Sequence, residues 1–358
     1  MAALAPPRAA AAAWRALRPR FSLDELEHGS FEVLPLVHRN LTLAGGDDPL
    51  LPRLKGIRRK TWVANRLLLE RTGQAGATLR EAGIPALFVD GVTVAVRFYP
   101  ELGLRPTSFL SVLVDDRHAA RALARLADAG WLVRPGAASG PGEIGQLVDT
   151  SGNTLALRTR LAVDFVRRRP GEPGRAVALW GTAEHLDVGG VDLLVLSRTE
   201  ALAAACIAHV RPGAGSRTQW IVDAKMLLGA EVDWQRLVAL ASEHGQAARL
   251  RDALRYLASL PGPTPPGDVV ARLGAVRMTP RERVSYRCTS GSIRGLGALP
   301  HYVAEHLAAT AQEPPLRVVA TFPRHLRDRW RLARTWHVPF AAIKRGARVL
   351  RTREGRAS

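Results

Sequence analysis

The hexapeptide FLSVLV, Phe109 to Val114, has the length and composition of a buried strand. On a strand the residues at i and i+2 project from one face. That spacing lets one strand offer two carboxylates to hard cations such as Mg²⁺, which demand oxygen ligands. Here Phe109 and Ser111 share such a face, and a phenyl ring with a neutral hydroxyl cannot hold a pair of divalent ions. Of the nearby acids, Asp115 and Asp116 sit where they cap and polarise the following helix, RHAARALARLADA. Asp149 precedes the turn Ser151-Gly152-Asn153, where aspartate is an ordinary turn residue. Asp90 differs from these, because it ends the apolar run PALFVD beside Gly91, at a strand end that overlooks a cleft. Arg105, just before Pro106, is placed to face the same cleft, either for a phosphate or as the partner of Asp90.

Other chemistries find no support. The sequence contains no GxSxG elbow, no HExxH and no GxxxxGK[ST] phosphate loop. HLDVGGVD (185–192) reads as a strand pair. The two cysteines, Cys206 and Cys288, fit neither a disulfide framework nor CxxC metal spacing. Cys206 falls on the apolar face of a helix, where inert packing is expected.

The elements that must position these residues alternate. A long helix is expected from about Lys60 to Ala82, with Trp62, Leu67, Leu68 and Leu79 at helical spacing. The strand 85–90 follows, then a helix carrying Val92, Val94, Ala95 and Phe98 and stopped by Pro100. After FLSVLV and its helix come a short strand WLVRP, a hairpin over 145–161, and the strands RAVAL and VDLLVL. From Ser197 to Leu260 the pattern is helical, over 199–209, 217–229, 233–244 and 246–260. LPGPTPPG (260–267) marks a boundary. Beyond it HYVAEHLAATA and PRHLRDRWRLARTWH are expected helices and the end is expected to be disordered. The division is therefore 1–52, a frayed tail with a short helix begun by the capping box SLDE at Ser22, then 53–196, 197–260 and 261–358.

At 358 residues and 47% hydrophobic content the chain can build a substantial core. It has no run of 18 apolar residues, so no transmembrane helix is expected, and a cytoplasmic protein is the default. The formal net charge of +19 invites a nucleic-acid reading. Only four lysines occur, however, and arginine with abundant Ala, Gly and Pro is the mark of a GC-rich genome. The exception is the segment 324–356, where basic residues crowd around the acids Asp328 and Glu354 and could meet nucleic acid, a membrane surface or another acidic partner.

Taken in order, the landmarks FVDG (88–91), FYPELGLRP (98–106), SFLSVLV (108–114) and LADAGW (126–131) resemble the uncharacterised bacterial nucleotidyltransferase family of the DNA-polymerase-β-like superfamily. LSRTEALAAACIAHV, RTQWIVDAKMLL, VDWQRLVALASEHG and LRDALRYL extend the likeness to roughly 53–260. The resemblance implies an α+β fold: a polymerase-β-like palm, a mixed sheet with flanking helices, followed by an α-helical domain. It also implies transfer of a nucleotide from an NTP through two Mg²⁺ ions held by three carboxylates. The family's two strand aspartates fall on Phe109 and Ser111, the third carboxylate near Ala156 and the family histidine near Arg158. The lysine before the glycine falls on Asp90. Gly91 and Thr93 match the turn that contacts the triphosphate, and His209, Arg217, Asp223 and Lys225 match polar positions of the helical domain. Asp223 is expected to be a partly buried acid paired with Arg217 or His209. The expectation is a degenerate member that binds a nucleotide, another phosphate-bearing small molecule or a protein partner. The alternative is an active enzyme, using Mg²⁺ and NTP through a rearranged site at Asp90.

Overall fold

The computed structural model describes residues 1–23, 25–26, 28–134, 143–159, 161, 179–208, 218–229, 231–289, 299–310, 313–330 and 332–343. The chain opens with helix α1 (Pro7–Leu17), started by a proline whose fixed φ suits the first turn. It is packed rather than frayed. Trp14 is buried and its Nε1 donates to Asp48 Oδ2 at 2.9 Å, while Asn40 Nδ2 donates to the carbonyls of Ala2 and Ala3, both at 3.1 Å. Helices α2 (His28–Phe31) and α3 (Leu34–Leu43) follow. The expected helix at Ser22 is absent among the described residues, and the first helical turn comes at His28.

Helix α4 (Leu51–Glu81) starts a full two turns before the expected Lys60, with Pro52 in its first turn. Its buried stripe is not the expected one. Leu68 and Leu79 face inward, but Trp62 and Leu67 are each 51% exposed. The phase is set by small and polar residues, with Thr61, Asn65, Thr72, Ala75 and Gly76 sharing the buried face. Small residues allow close approach: a Cβ built on Gly76 would lie 2.1 Å from Leu193 Cδ2.

The sheet begins with β1 (Ala86–Asp90), helix α5 (Val92–Phe98), β2 (Phe109–Val114) and helix α6 (Ala119–Asp128). Asp115 caps the intervening turn by accepting the Arg117 N–H at 3.0 Å. Then come β3 (Leu132–Val133), β4 (Glu143–Val148), β5 (Thr154–Arg158) and the hairpin β6 (Glu184–Val188) with β7 (Val191–Val195). Most of RAVAL lies outside the described residues. The seven strands form one mixed sheet in the order β3-β4-β5-β2-β1-β7-β6, with β2/β5 and β1/β7 parallel. Alternation along the strands gives it two apolar faces. Leu110, Val112, Leu155 and Leu157 pack with Leu68, Leu79 and Leu126 of α4 and α6. Leu87, Val89 and Leu113 of the other face join the core of the helical half.

That half comprises α7 (Arg198–Ala208), α8 (Gln219–Leu227), α9 (Trp234–Glu243), α10 (Ala247–Ala258) and α11 (Gly267–Ala275). The first four match the sequence reading closely. The fifth lies beyond the expected boundary at 260–267, yet its Val269 and Leu273 are buried in the same core. Helices α12 (Pro280–Thr289), α13 (Leu299–Ala309) and α14 (Pro315–Arg329) follow, and the described chain ends with a 3-10 turn (Thr335–His337) and helical residues 338–343. Among the described residues no helix is long and apolar enough to cross a membrane.

The contact at Gly76 yields a test with an internal control. Helix propensity favours Ala over Gly by about 0.5–1 kcal/mol. At Gly56 nothing lies within 4 Å, so Gly56→Ala should raise the urea midpoint. At Gly76 the buried Leu193 must move, which costs about 1–3 kcal/mol and outweighs propensity, so Gly76→Ala should lower the midpoint.

Candidate functional site

The site is assembled where β1 ends. Strand β1 carries a bulge between Phe88 and Asp90, so Asp90, in place of Val89, pairs with Ser111. Without the extra residue, strand alternation would turn Asp90 to the opposite face. The register continues across β2 and β5, where Ser111 pairs with Ala156, and on to Gln146 of β4. Asp90, Ser111 and Ala156 thus form one row across three adjacent strands. Phe109 and Arg158 lie two residues to either side of that row, on β2 and β5, and so share its face.

The backbone at Asp90 turns sharply. Gly91 has φ +87° and ψ −134°, a conformation open to glycine, and a Cβ there would fall 2.1 Å from the Phe109 carbonyl oxygen. Asp90 Oδ1 accepts the Gly91 N–H at 2.6 Å. Thr93 is buried and its hydroxyl donates to the Asp90 carbonyl at 3.3 Å, fastening the first turn of α5 to the strand end.

Arg105 is almost wholly buried and most of its donors are committed to internal acceptors. Nε and Nη2 donate to Asp223 Oδ1 and Oδ2 at 2.8 and 2.9 Å, a bidentate fork. Nη1 donates to the Gly91 carbonyl at 2.9 Å, and Nη2 also reaches Asp90 Oδ1 at 3.2 Å. Asp223 accepts a further bond from the Tyr99 hydroxyl at 2.6 Å, and Gln219 Nε2 donates to both Tyr99 and Asp223 at 3.0 Å. Asn65 of α4 holds the loop from below, donating to the carbonyls of Leu102 and Arg105 at 2.6 and 2.8 Å. Burial disfavours the Arg105 charge, but the Asp223 carboxylate more than compensates and holds its pKa above the ordinary arginine value. Burial and Asp223 together push the Tyr99 hydroxyl well above the usual tyrosine range.

Asp223 finds a partner in Arg105; Arg217 and His209, the expected partners, lie outside the described residues. Lys225, two positions along α8, points elsewhere: its Nζ donates to the carbonyls of Leu260 and Pro263 at 3.0 and 2.8 Å. Of the expected polar cluster, Asp223 and Lys225 thus bond to different groups, and His209 and Arg217 lie outside the described residues. Tyr99, Gln219 and Asn65 had not been singled out. Their partners lie up to 124 residues away, and no local spacing announces them.

Asp90 is the acid on the floor of the row. Its side chain is 42% exposed, through the open side of the site, while Arg105 beneath it is 2% exposed. Its partial withdrawal from water raises its pKa from the ordinary aspartate value, as does the Asp223 charge, against the pull of Arg105, the Gly91 N–H and Arg158. Ser111 is buried, and its hydroxyl has no hydrogen bond among the described residues. Among the described residues Arg158 makes one long contact, Nη2 to Glu143 Oε2 at 3.4 Å, and its Nε and the other Glu143 oxygen are buried without partners there.

These donors do not fit a two-metal centre. Phe109 and Ala156 offer no ligand, Ser111 offers a neutral hydroxyl, and Asp90 supplies a single carboxylate already shared with Arg105 and Gly91. Among the described residues no three His, Cys, Asp or Glu side chains converge as a metal site would require. Asp115 and Asp149 cannot stand in. Asp115 caps its turn, and Asp149 accepts from the N–H groups of Ser151 and Asn153 and from the Asn153 amide.

The model of the family described as "uncharacterised nucleotidyltransferase" matches residues 30–262, well over half of the chain. The chain belongs to that family. The crystal structure of an antigenic nucleotidyltransferase-like protein from Paracoccidioides brasiliensis is 16% identical and aligns over 61% of this chain and 96% of that one, with a TM-score of 0.36. The search of curated proteins gives no match. Within the family's matched span, the sheet with its flanking helices and the helical bundle make an α+β nucleotidyltransferase-family protein.

The clamp and the row predict opposite responses to loss of an acid. Asp223→Asn leaves the buried guanidinium without its counter-charge and should cost about 3–5 kcal/mol in chemical denaturation. Asp90→Asn should do the reverse at neutral pH. A folded-state pKa raised above the unfolded value, near 3.8, favours folding only while the carboxyl is protonated, and that contribution is lost as pH rises through the folded value. The Asn variant should therefore have the higher urea midpoint at pH 7, and its advantage should narrow as the pH falls toward 4.

Proposed function

We propose that this protein has kept the nucleotidyltransferase frame and given up the two-metal reaction, so that it acts by binding a nucleotide or another phosphate-bearing small molecule. The observation that carries this reading is the row Asp90–Ser111–Ala156, flanked by Phe109, which holds one carboxylate where the reaction needs three. Family membership favours a nucleotide as the ligand class. Arg158 supplies the cationic donor, with a buried Nε that has no partner among the described residues and only a long contact to Glu143. Ser111 supplies a hydroxyl on the same face of the sheet, uncommitted among the described residues. Arg105, by contrast, acts as scaffold, because its fork is spent on Asp223.

A second reading is favoured by Asp90 itself. A partly exposed carboxyl whose pKa is raised by burial can accept a proton from an acceptor hydroxyl. In that case the chain is a transferase built on a rearranged site.

Calorimetric titration of the full chain with each of the four NTPs, with and without Mg²⁺, separates the two when combined with a pyrophosphate-release assay. The first reading expects affinity that shifts by less than about threefold on adding Mg²⁺, loss of roughly tenfold or more in Arg158→Ala, and no pyrophosphate. Mg²⁺-dependent pyrophosphate release that disappears in Asp90→Asn would establish the second reading and sink the first. Absence of NTP binding would remove the nucleotide assignment.

A further inference from the structure

The last described segment forms a small body of its own. Leu326, Trp330 and Val338 are its buried centre, with Tyr302, Phe322 and Ala341 packed around them. The helical residues 338–343 thus turn Val338, Ala341 and Ala342 inward. Their other side is also apolar. Phe340 is 67% exposed and Ile343 71%, and just before them Trp336 is 60% exposed and packs edge-on against Phe340, with ring centroids 6.4 Å apart. A helix that is apolar on both sides needs a second apolar neighbour. Three large apolar side chains so close together are more than the scattered exposure usual on a protein surface.

The charge around this patch indicates what covers it. Arg334 is exposed just ahead of Trp336, and α14 turns Arg317 and Arg324 to solvent. The sequence continues directly from Ile343 with Lys344, Arg345 and Arg348. We infer that this C-terminal body docks on an anionic lipid surface, with Trp336, Phe340 and Ile343 entering the headgroup–acyl boundary and the arginines meeting lipid phosphates. Tryptophan favours that boundary. Apolar side chains beside a basic run are the composition of a surface-lying segment. Nucleic acid would use the arginines and could stack the aromatics, but it has no use for exposed aliphatics such as Ile343, Leu316 and Val319. A second copy of the chain would bring two basic faces together and meet charge repulsion. Because no described helix can span a bilayer, the association is peripheral.

Co-sedimentation of the full chain with vesicles of phosphatidylcholine alone, and of phosphatidylcholine mixed with phosphatidylglycerol, tests the inference. The protein should pellet with the anionic vesicles only, and less as salt is raised. The double variant Phe340→Ser/Ile343→Ser should lower the partition coefficient on the order of tenfold. Its circular dichroism and thermal midpoint should not change, since both side chains lie outside the small core. Absence of binding to anionic vesicles, or equal binding by the variant, overturns the inference. So does salt-dependent binding to a random oligonucleotide without vesicle binding, which would assign the face to nucleic acid. A dimer in light scattering that the variant splits would assign it to self-association.

Discussion

One buried guanidinium holds the architecture together. Arg105 sits in the loop before the central strand and reaches a carboxylate on the helical half, the side chain at the end of β1 and the carbonyl of Gly91. Buried charge is tolerated only when its partners are complete. Three pieces of chain must therefore be in register before the arginine can be buried at all. Tyr99 and Gln219 finish the acceptor side, and Asn65 fixes the loop that carries it. The glycine turn, the bulge that re-aims Asp90 and the seating of α8 on the palm all lean on this fork.

With the frame fixed by Arg105, the floor of the cleft can vary. The row beside Asp90 carries a hydroxyl at Ser111 and a methyl group at Ala156, and Phe109 on the same face is partly exposed. These side chains sit on the strands without disturbing the alternation that keeps Leu110 and Val112 in the opposite core.

Much of this was legible in the sequence, for local reasons. Both central strands, the helix stopped by Pro100, the cap at Asp115, the turn at Asp149 and four helices of the bundle follow from short-range patterns of apolar spacing and turn chemistry. What escaped was set at long range. Asp223 and Arg105 are 118 residues apart, and the sequence offers nothing to choose between Arg105 and the nearer Arg217. The stripe on α4 departs from apolar spacing because Thr, Asn and Gly share its buried face, while the large apolar Trp62 and Leu67 point outward. The N-terminal segment is expected from its sequence to be a frayed tail. One tryptophan and one asparagine, bonded to residues more than thirty positions away, hold it.

The Lys225 ammonium bears on where this protein may be divided. Its acceptors are the carbonyls of Leu260 and Pro263, one on each side of residue 262, where the family match ends. Burial already presses the Lys225 pKa downward, so the cation depends on those two oxygens. Val269 and Leu273 then carry the shared core a further helix along the chain. The end of the recognisable family segment is therefore not a seam in the molecule. A fragment cut there would hold a half-solvated cation and an uncovered apolar groove, and the smallest cooperative unit of the helical half runs on through α11.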